Sequence, residues 1–227
     1  MKHLFLNKWL LFDQTCPLCE VSSVPDAGPC GPCQADLPYL MQACPICALP
    51  GAVSICQECN ERPPIYSKVL AGFNYRFPLP QLIHRVKTGG DPEPLHWLSG
   101  LLAERVAKSI NRSSTLVPVP MHPWDLAVRG FNQSEVLSRN LARELNLEHA
   151  AQLLIKTQRT LHQASLNRRE RRQNLQGCYV TTAPVPAQVT LIDDVMTTGT
   201  TAERLSQILL DMGCKRVEIC VLCRTPS

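Results

Sequence analysis

The chain lacks any apolar run approaching the roughly 20 residues that a membrane-crossing helix needs, so no transmembrane segment is expected in its 227 residues. Its apolar opening, MKHLFLNKWLLF, is broken by Asn7 and Lys8 and leads to no small-residue cleavage site, which argues against a secretory leader. Packing on the cysteine-rich stretch that follows is its expected role, with weak contact at a membrane surface as the alternative. Aromatic side chains are scarce at 5%, and basic ones are outnumbered before residue 60, where the charge is −3, which argues against a basic, aromatic-lined groove for single strands in that region. Excess charge is small too. The formal net charge of +4 divides as −3 over 1–60, +3 over 61–128, +5 over 129–176 and −1 over 177–227, so one segment carries more than the whole surplus. A hydrophobic content of 44% in a chain of this length can bury a full core, which favours one large globular domain with a small module.

What the chain has in excess is cysteine. Eight of its twelve cysteines fall before residue 60 as four C-x-x-C pairs: Cys16 and Cys19, Cys30 and Cys33, Cys44 and Cys47, Cys56 and Cys59. That spacing belongs to metal knuckles rather than to a secreted disulfide scaffold, and it implies a reducing, cytoplasmic setting, with the periphery of the inner membrane as a second location. The two intervening residues let the chain turn back so that both thiolates reach one tetrahedral zinc at about 2.3 Å, and Pro17, Pro32 and Pro45 help to fix the turns. Eight thiolates suffice for two closed four-cysteine sites with no position open to substrate, so the zinc is expected to be structural. Sequential pairing is the simplest arrangement, with ten residues between the first two knuckles and eight between the last two; crossed pairing or a single occupied site are the alternatives. A stretch this poor in large apolar side chains needs metal to fold, and a double zinc-ribbon module is predicted over 1–62. A fifth C-x-x-C, Cys220 and Cys223, lies in RVEICVLCR. Residues three apart on a strand point to opposite faces, so these two are read as core and edge residues rather than as ligands.

The composition changes near Ile65, and the rest of the chain, 63–227, reads as one domain. IYSKVLAGFNY, TLVPVP, AQLLI, QVTLID and RVEICVLC have the pattern of strands; PLHWLSGLLAERVAKSI, NQSEVLSRNLAREL and TAERLSQILLDMG have that of helices, the last closed by Gly213, and a basic loop with a short helix precedes QVTLID. Strands alternating with helices predict a mostly parallel α/β sheet, whose ligands sit at the carboxyl ends of the strands.

The stretch TLIDDVMTTGTTAERL, 190–205, follows that rule. An apolar strand delivers Asp193 and Asp194 to its carboxyl end, and Thr197, Thr198, Gly199, Thr200 and Thr201 form the turn into a helix. Gly199 permits a backbone conformation that other residues resist, and free amides at a helix start make an anion site. The Lys of a G-x-x-x-x-G-K-[ST] loop is missing, which argues against an ATP-type phosphate loop. Carboxylates for sugar hydroxyls beside a phosphate cradle describe a site for ribose 5-phosphate.

At these residues the chain resembles a known family. VTLIDDVMTTGTT is similar to the thirteen-residue signature of type I phosphoribosyltransferases, with Thr190 a small departure from the apolar run. The resemblance implies that Asp193 and Asp194, the catalytic pair of that signature, bind the ribose hydroxyls, and that residues 197–201 bind the 5′-phosphate. LVPVPMHPWDLAVRGFNQSEVLSRNLA and HQASLNRRERRQNLQGCY resemble two blocks of the ComF and GntX competence proteins, and VKTGGD their F-K-x-x-G-D element except for Val86. With the cysteine module in front, the likeness spans essentially the whole chain. It implies a type I phosphoribosyltransferase-like sheet flanked by helices and an N-terminal zinc ribbon. It also implies phosphoribosyl pyrophosphate with magnesium as ligand, and a part in moving incoming single-stranded DNA into the cytoplasm beside the DNA-uptake machinery. Whether the chain carries out phosphoribosyl transfer, a glycosyltransferase reaction, or only binds that ligand is left open.

VPVP with Met121 and His122 occupies the place of the family's pyrophosphate loop, a proline-stiffened turn being the plainer reading. Arg129, Gly130, Asn132 and Gln133, with Phe131, combine a cation, a glycine and two amides before a helix, which suits an anion, pyrophosphate or nucleic acid, with a solvated helix start as the alternative. Lys87, next to Gly89 and Gly90, adds a cation to the same pocket. Arg168, Arg169, Arg171 and Arg172 are opposed only by Glu170; they form a solvated face or contact phosphate, of pyrophosphate or of nucleic acid. His84, His96 and His162 are read as bystanders. The rival to sugar-phosphate binding is a zinc-dependent module that grips single-stranded nucleic acid around a vestigial site.

Overall fold

The computed structural model of the chain describes residues 14–21, 23–24, 28–158 and 178–226. The opening apolar segment, the short helix expected in the basic loop, His162 and the four arginines at 168, 169, 171 and 172 lie outside them. The chain divides into two compact units, Met1–Leu37 and Pro38–Ser227. The division falls inside the cysteine-rich region, so the first four cysteines belong to the small unit and the next four to the unit that holds the sheet.

In the small unit a two-residue antiparallel pair, β1 (Gln14–Thr15) with β2 (Ser23–Val24), and the one-turn helix α1 (Gly31–Ala35) surround Cys16, Cys19, Cys30 and Cys33, with Val24 packed among them.

The larger unit begins with the second cysteine group and the short helix α2 (Gln57–Glu61). Its sheet is built from β3 (Val69–Asn74), β4 (Thr115–Pro118), β7 (Gln188–Met196) and β8 (Arg216–Arg224) in the order β3-β8-β7-β4, all neighbours parallel. Helices α3 (Leu79–Gly89), α4 (Glu93–Val106), α5 (Pro123–Arg129), α6 (Gln133–Leu145) and α7 (Thr200–Asp211) make the connections. The parallel sheet flanked by helices agrees with the sequence pattern. Both faces of the central strands are covered: Val189 and Leu191 of β7 cluster with Leu205 and Leu209 of α7, while Thr190 and Ile192, one residue out of phase, are fully buried as well. Helices α4 and α6 pack on each other, α4 also against β3 and β8 and α6 against β4 and β7. Gly213, at φ 96°, ends α7 with its amide bonded to Leu210 O, as the helix-stop pattern predicts.

Three features depart from the sequence reading. AQLLI does not join the sheet: β5 (Leu154–Lys156) pairs antiparallel with β6 (Tyr179–Thr181) in a separate ribbon. Helices α3 and α5 occupy stretches with no assigned element, although Leu79, Leu82, Ile83 and Val86, spaced at i, i+3, i+4 and i+7, form the buried face of α3. Cys223 is no edge residue, because β8 is paired on both sides and Cys220 and Cys223 are both fully buried.

Candidate functional site

The carboxylates of the central strand are not left to repel one another. Strand β7 continues through Asp193 and Asp194 to Met196, and successive side chains on an extended strand diverge, so the two find different partners. Asp193 Oδ1 accepts a hydrogen bond from Ser134 Oγ at 2.8 Å and from the amide of Asp194 at 2.9 Å. Asp194 Oδ1 accepts from the amide of Val195 at 2.8 Å, and its Oδ2 lies 2.7 Å from Lys87 Nζ. Asp194 is buried, and the lysine covering it is about one third exposed.

Charge sharing in this cluster is unequal. Desolvation first, and the charge of Asp194 second, push the Asp193 carboxyl up to about 7, against the Ser134 hydroxyl, the Asp194 amide and Lys87. Desolvation alone would lower the Lys87 ammonium, yet the carboxylates of Asp194 and Asp193 hold it above its ordinary range. Charges within the cluster therefore nearly balance, with Lys87 compensating one buried carboxylate and burial favouring the protonated form of the other.

Lys87 is positioned by a helix-turn-helix. It lies in the last turn of α3, Gly90 caps that helix at φ 65°, and Asp91 fastens the next one: its Oδ1 accepts from the amide of Glu93 at 2.9 Å and its Oδ2 pairs with Arg85 at 2.5 Å. In VKTGGD, Lys87 faces the site and Asp91 holds the turn.

Beyond Met196 the chain enters the threonine loop. Thr197 and Thr198 are exposed, Gly199 takes φ 74° as the N-cap of α7, and Thr200 Oγ1 lies 2.9 Å from Thr198 Oγ1. Thr201 follows in the first turn of α7, whose leading amides lack intrahelical partners and whose dipole favours an anion. The VPVP segment runs alongside: the amide of Val119 bonds to Ile192 O at 2.9 Å, one residue before the carboxylates. Asn132 commits its side chain to intrachain bonds, Nδ2 to Val119 O at 3.0 Å and Oδ1 from the Ser134 amide at 3.1 Å, so it ties this loop to α6 and aims Ser134 at Asp193. Gln133 is buried and accepts from Arg129 Nη1 at 2.7 Å, and Gly130, at φ 87°, caps α5. His84 contacts Thr88 and His96 contacts Asn140.

The sequence reading omitted Ser134 and Arg224. Arg224 is buried at the carboxyl end of β8 and donates to Met196 O, Thr197 O and Cys47 O. An arginine that ends an otherwise apolar run was the available signal.

The cysteines gather in sequential sets, Cys16, Cys19, Cys30 and Cys33, then Cys44, Cys47, Cys56 and Cys59, with the ligand atoms of each set within 4.8 Å of one another. The two sets share a local architecture. In each, the residue after the first knuckle has a positive φ, Glu20 at 57° and Ala48 at 54°, and its amide bonds back to the first cysteine's carbonyl at 2.9 Å; Cys30 and Cys56 each cap a one-turn helix. Amides point at the sulfurs, from Cys30 to Cys16 Sγ at 3.3 Å and from Cys56 to Cys44 Sγ at 3.4 Å. Burial raises the Cys44 thiol, but the amides of Cys47, Cys56 and Ile46 more than offset it and bring it to about 6. Sulfur separations of 3.9 Å between Cys19 and Cys30 and 3.6 Å between Cys47 and Cys56 bracket the ~3.8 Å edge of a zinc tetrathiolate, so both donor sets fit zinc. Cys178, Cys214, Cys220 and Cys223 are buried and belong to neither set.

No protein-family model matches the chain. The DNA utilization protein YhgH of Escherichia coli O157:H7 is 32% identical over 220 residues, which cover 92% of this chain and 97% of that protein. The chain belongs to the YhgH and competence F family. Competence protein F of Haemophilus influenzae is 28% identical over 86% of this chain and 84% of its own length, and Competence protein ComFC of Streptococcus pneumoniae 28% identical over 80% of each. A solved hypoxanthine-guanine phosphoribosyltransferase from Bacillus anthracis is 12% identical, with a TM-score of 0.39 over 59% of this chain and 68% of that one, a likeness too slight to carry an argument about the site. Among the described residues no helix is long and apolar enough to cross a membrane.

Proposed function

We propose that the carboxyl end of the sheet binds the ribose 5-phosphate part of phosphoribosyl pyrophosphate, with magnesium, and that this family member serves the handling of incoming single-stranded DNA in the cytoplasm. One arrangement carries the reading: two carboxylates and a threonine-glycine phosphate loop leave the same strand, and Lys87 sits against the first of these elements. Asp193 and Asp194 accept from the ribose hydroxyls, and Thr197, Thr198, Gly199, Thr200 and Thr201 receive the 5′-phosphate. Lys87, Arg129 and Gly130 border the pyrophosphate, while Asn132 and Gln133 hold that border in place. Magnesium supplies charge neutralisation to the diphosphate oxygens, hard donors of the kind it prefers. Calorimetry with phosphoribosyl pyrophosphate, with and without magnesium, tests this: binding should need the metal and vanish in Asp193→Asn with Asp194→Asn. Equal affinity in parent and double variant would overturn it.

The names of the relatives, DNA utilization and competence, favour a second, compatible reading in which Arg168, Arg169, Arg171 and Arg172 contact a single-stranded DNA backbone. Arg168→Ala with Arg171→Ala should then weaken DNA binding for all sequences and lower the salt slope by roughly 0.7 per lost contact, with ribose 5-phosphate affinity unchanged. Parent-level DNA binding by the double variant would refute it.

A further inference from the structure

The second cysteine site and the phosphate loop share one buried side chain. Arg224 Nε donates to Cys47 O at 3.0 Å, and its Nη1 donates to Met196 O at 3.2 Å, Thr197 O at 2.5 Å and Thr225 O at 2.9 Å. One guanidinium thus joins the first knuckle of the second site to the point where β7 becomes the threonine loop. Cys47 and Arg224 are 177 residues apart in sequence. The knuckle is also seated on the sheet, because the amide of Val69 bonds to Ile46 O at 2.7 Å, and Tyr66, buried beside it, places its hydroxyl 3.6 Å from where a side chain on Gly199 would begin.

We infer that the second four-cysteine site is a positioning element of the phosphate loop, with Arg224 the positioning residue that couples metal occupancy to the loop's geometry. The carbonyl of Cys47 has a fixed direction only while its knuckle is closed, and a zinc on Cys44, Cys47, Cys56 and Cys59 closes it. With the knuckle open, Arg224 loses one anchor, and the carbonyls of Met196 and Thr197 are held by an arginine free to move at its other end. The partners of Arg224 all lie in the larger unit, and the first site belongs to the other. The two zinc sites, alike in local architecture, therefore have different consequences. Coupling of this kind is reciprocal, so a phosphate ligand in the loop should in turn retain metal at the second site.

Arginine is required by the geometry. Its planar fork reaches Cys47 O with Nε and the loop carbonyls with Nη1 at once, whereas the single ammonium of a lysine can serve only one end. The inference adds regulation to the site proposed above and rests on that reading only for its effect on ligand affinity.

Hydrogen exchange at the amides of Glu203 and Thr225, which bond to Gly199 O at 2.9 Å and Met196 O at 3.1 Å, tests the coupling without a ligand. Cys56→Ser should speed exchange there about tenfold or more while the fold is retained, and Cys19→Ser, in the first site, should leave it unchanged. Arg224→Lys should speed loop exchange with both metal ions still bound, which a general loss of stability would not produce. Should Arg224→Lys fail to fold, the contrast between Cys56→Ser and Cys19→Ser decides alone. Equal loop exchange in parent and Cys56→Ser, or equal effects of the two cysteine variants, would overturn the inference. Chelator-driven zinc loss in the presence of ribose 5-phosphate supplies the reciprocal readout, with release from the second site slowed about tenfold in the parent and not in Arg224→Lys. A parent that shows the loop effect but no affinity for ribose 5-phosphate sinks the proposed ligand and leaves the coupling standing.

Discussion

Lys87 Nζ lies 2.7 Å from Asp194 Oδ2, joining the last turn of α3 to the carboxyl end of β7 across 107 positions of sequence. The pair explains how a strand can end in two adjacent acidic residues within a hydrophobic sheet. One carboxylate is compensated by a cation from a distant helix, and burial favours the protonated form of the other, which accepts from a serine hydroxyl and a backbone amide.

Removing the lysine should therefore cost stability through the aspartate it leaves behind. Lys87→Ala is expected to destabilise by about 1–3 kcal/mol, below the range for fully buried pairs because the lysine is partly solvated. Adding Asp194→Asn should recover most of that loss. Urea denaturation of the four members of this cycle measures the coupling, and additive effects would show that the two groups act independently.

Asp193 gives the protein a pH dependence of definite sign. Its carboxyl is raised to about 7 in the folded protein and has an ordinary value near 3.9 in the unfolded chain. Between about pH 4 and 7 the folded state holds a proton that the unfolded state has lost, so this group makes stability fall as pH rises through that window. Asp193→Asn should remove that contribution. The difference in urea midpoint between variant and parent should grow in the variant's favour from pH 5 to pH 8, and a constant difference would contradict the assignment.

Metal content should follow the two sulfur clusters. Freshly reduced protein is expected to contain two zinc ions per chain, Cys44→Ser one, and Cys220→Ser two, since Cys220 is a core residue of β8. Elemental analysis of the three proteins checks this, and two ions in Cys44→Ser would remove that cysteine from the ligand set.

Gly199 is the loop position least tolerant of change. Its φ of 74° suits glycine, and an added Cβ would lie 2.7 Å from Met196 Cε. Gly199→Ala should cost about 1–2 kcal/mol from the left-handed backbone, with a small addition for displacing the flexible end of Met196. Affinity for ribose 5-phosphate should fall about tenfold with the fold kept. Undiminished binding in calorimetry would mean that the loop does not hold the phosphate.

The parts of this protein that its sequence determined are those set by neighbours along the chain. A C-x-x-C turn brings its own two sulfurs together, an alternating apolar run makes a buried strand, and a glycine after a strand permits the turn into a helix, so the cysteine clusters, the parallel sheet and the order of carboxylates and loop were all legible. The three-residue β5 was legible as a strand but not as part of a separate ribbon, because pairing is chosen by the partner rather than by local pattern. Tertiary structure alone decided which cation meets Asp194, which hydroxyl meets Asp193, and that Arg224 reaches from the last strand to Cys47. Those contacts depend on packing between segments far apart in sequence, and a charged or hydroxyl side chain carries no local mark of the partner that the fold will bring to it.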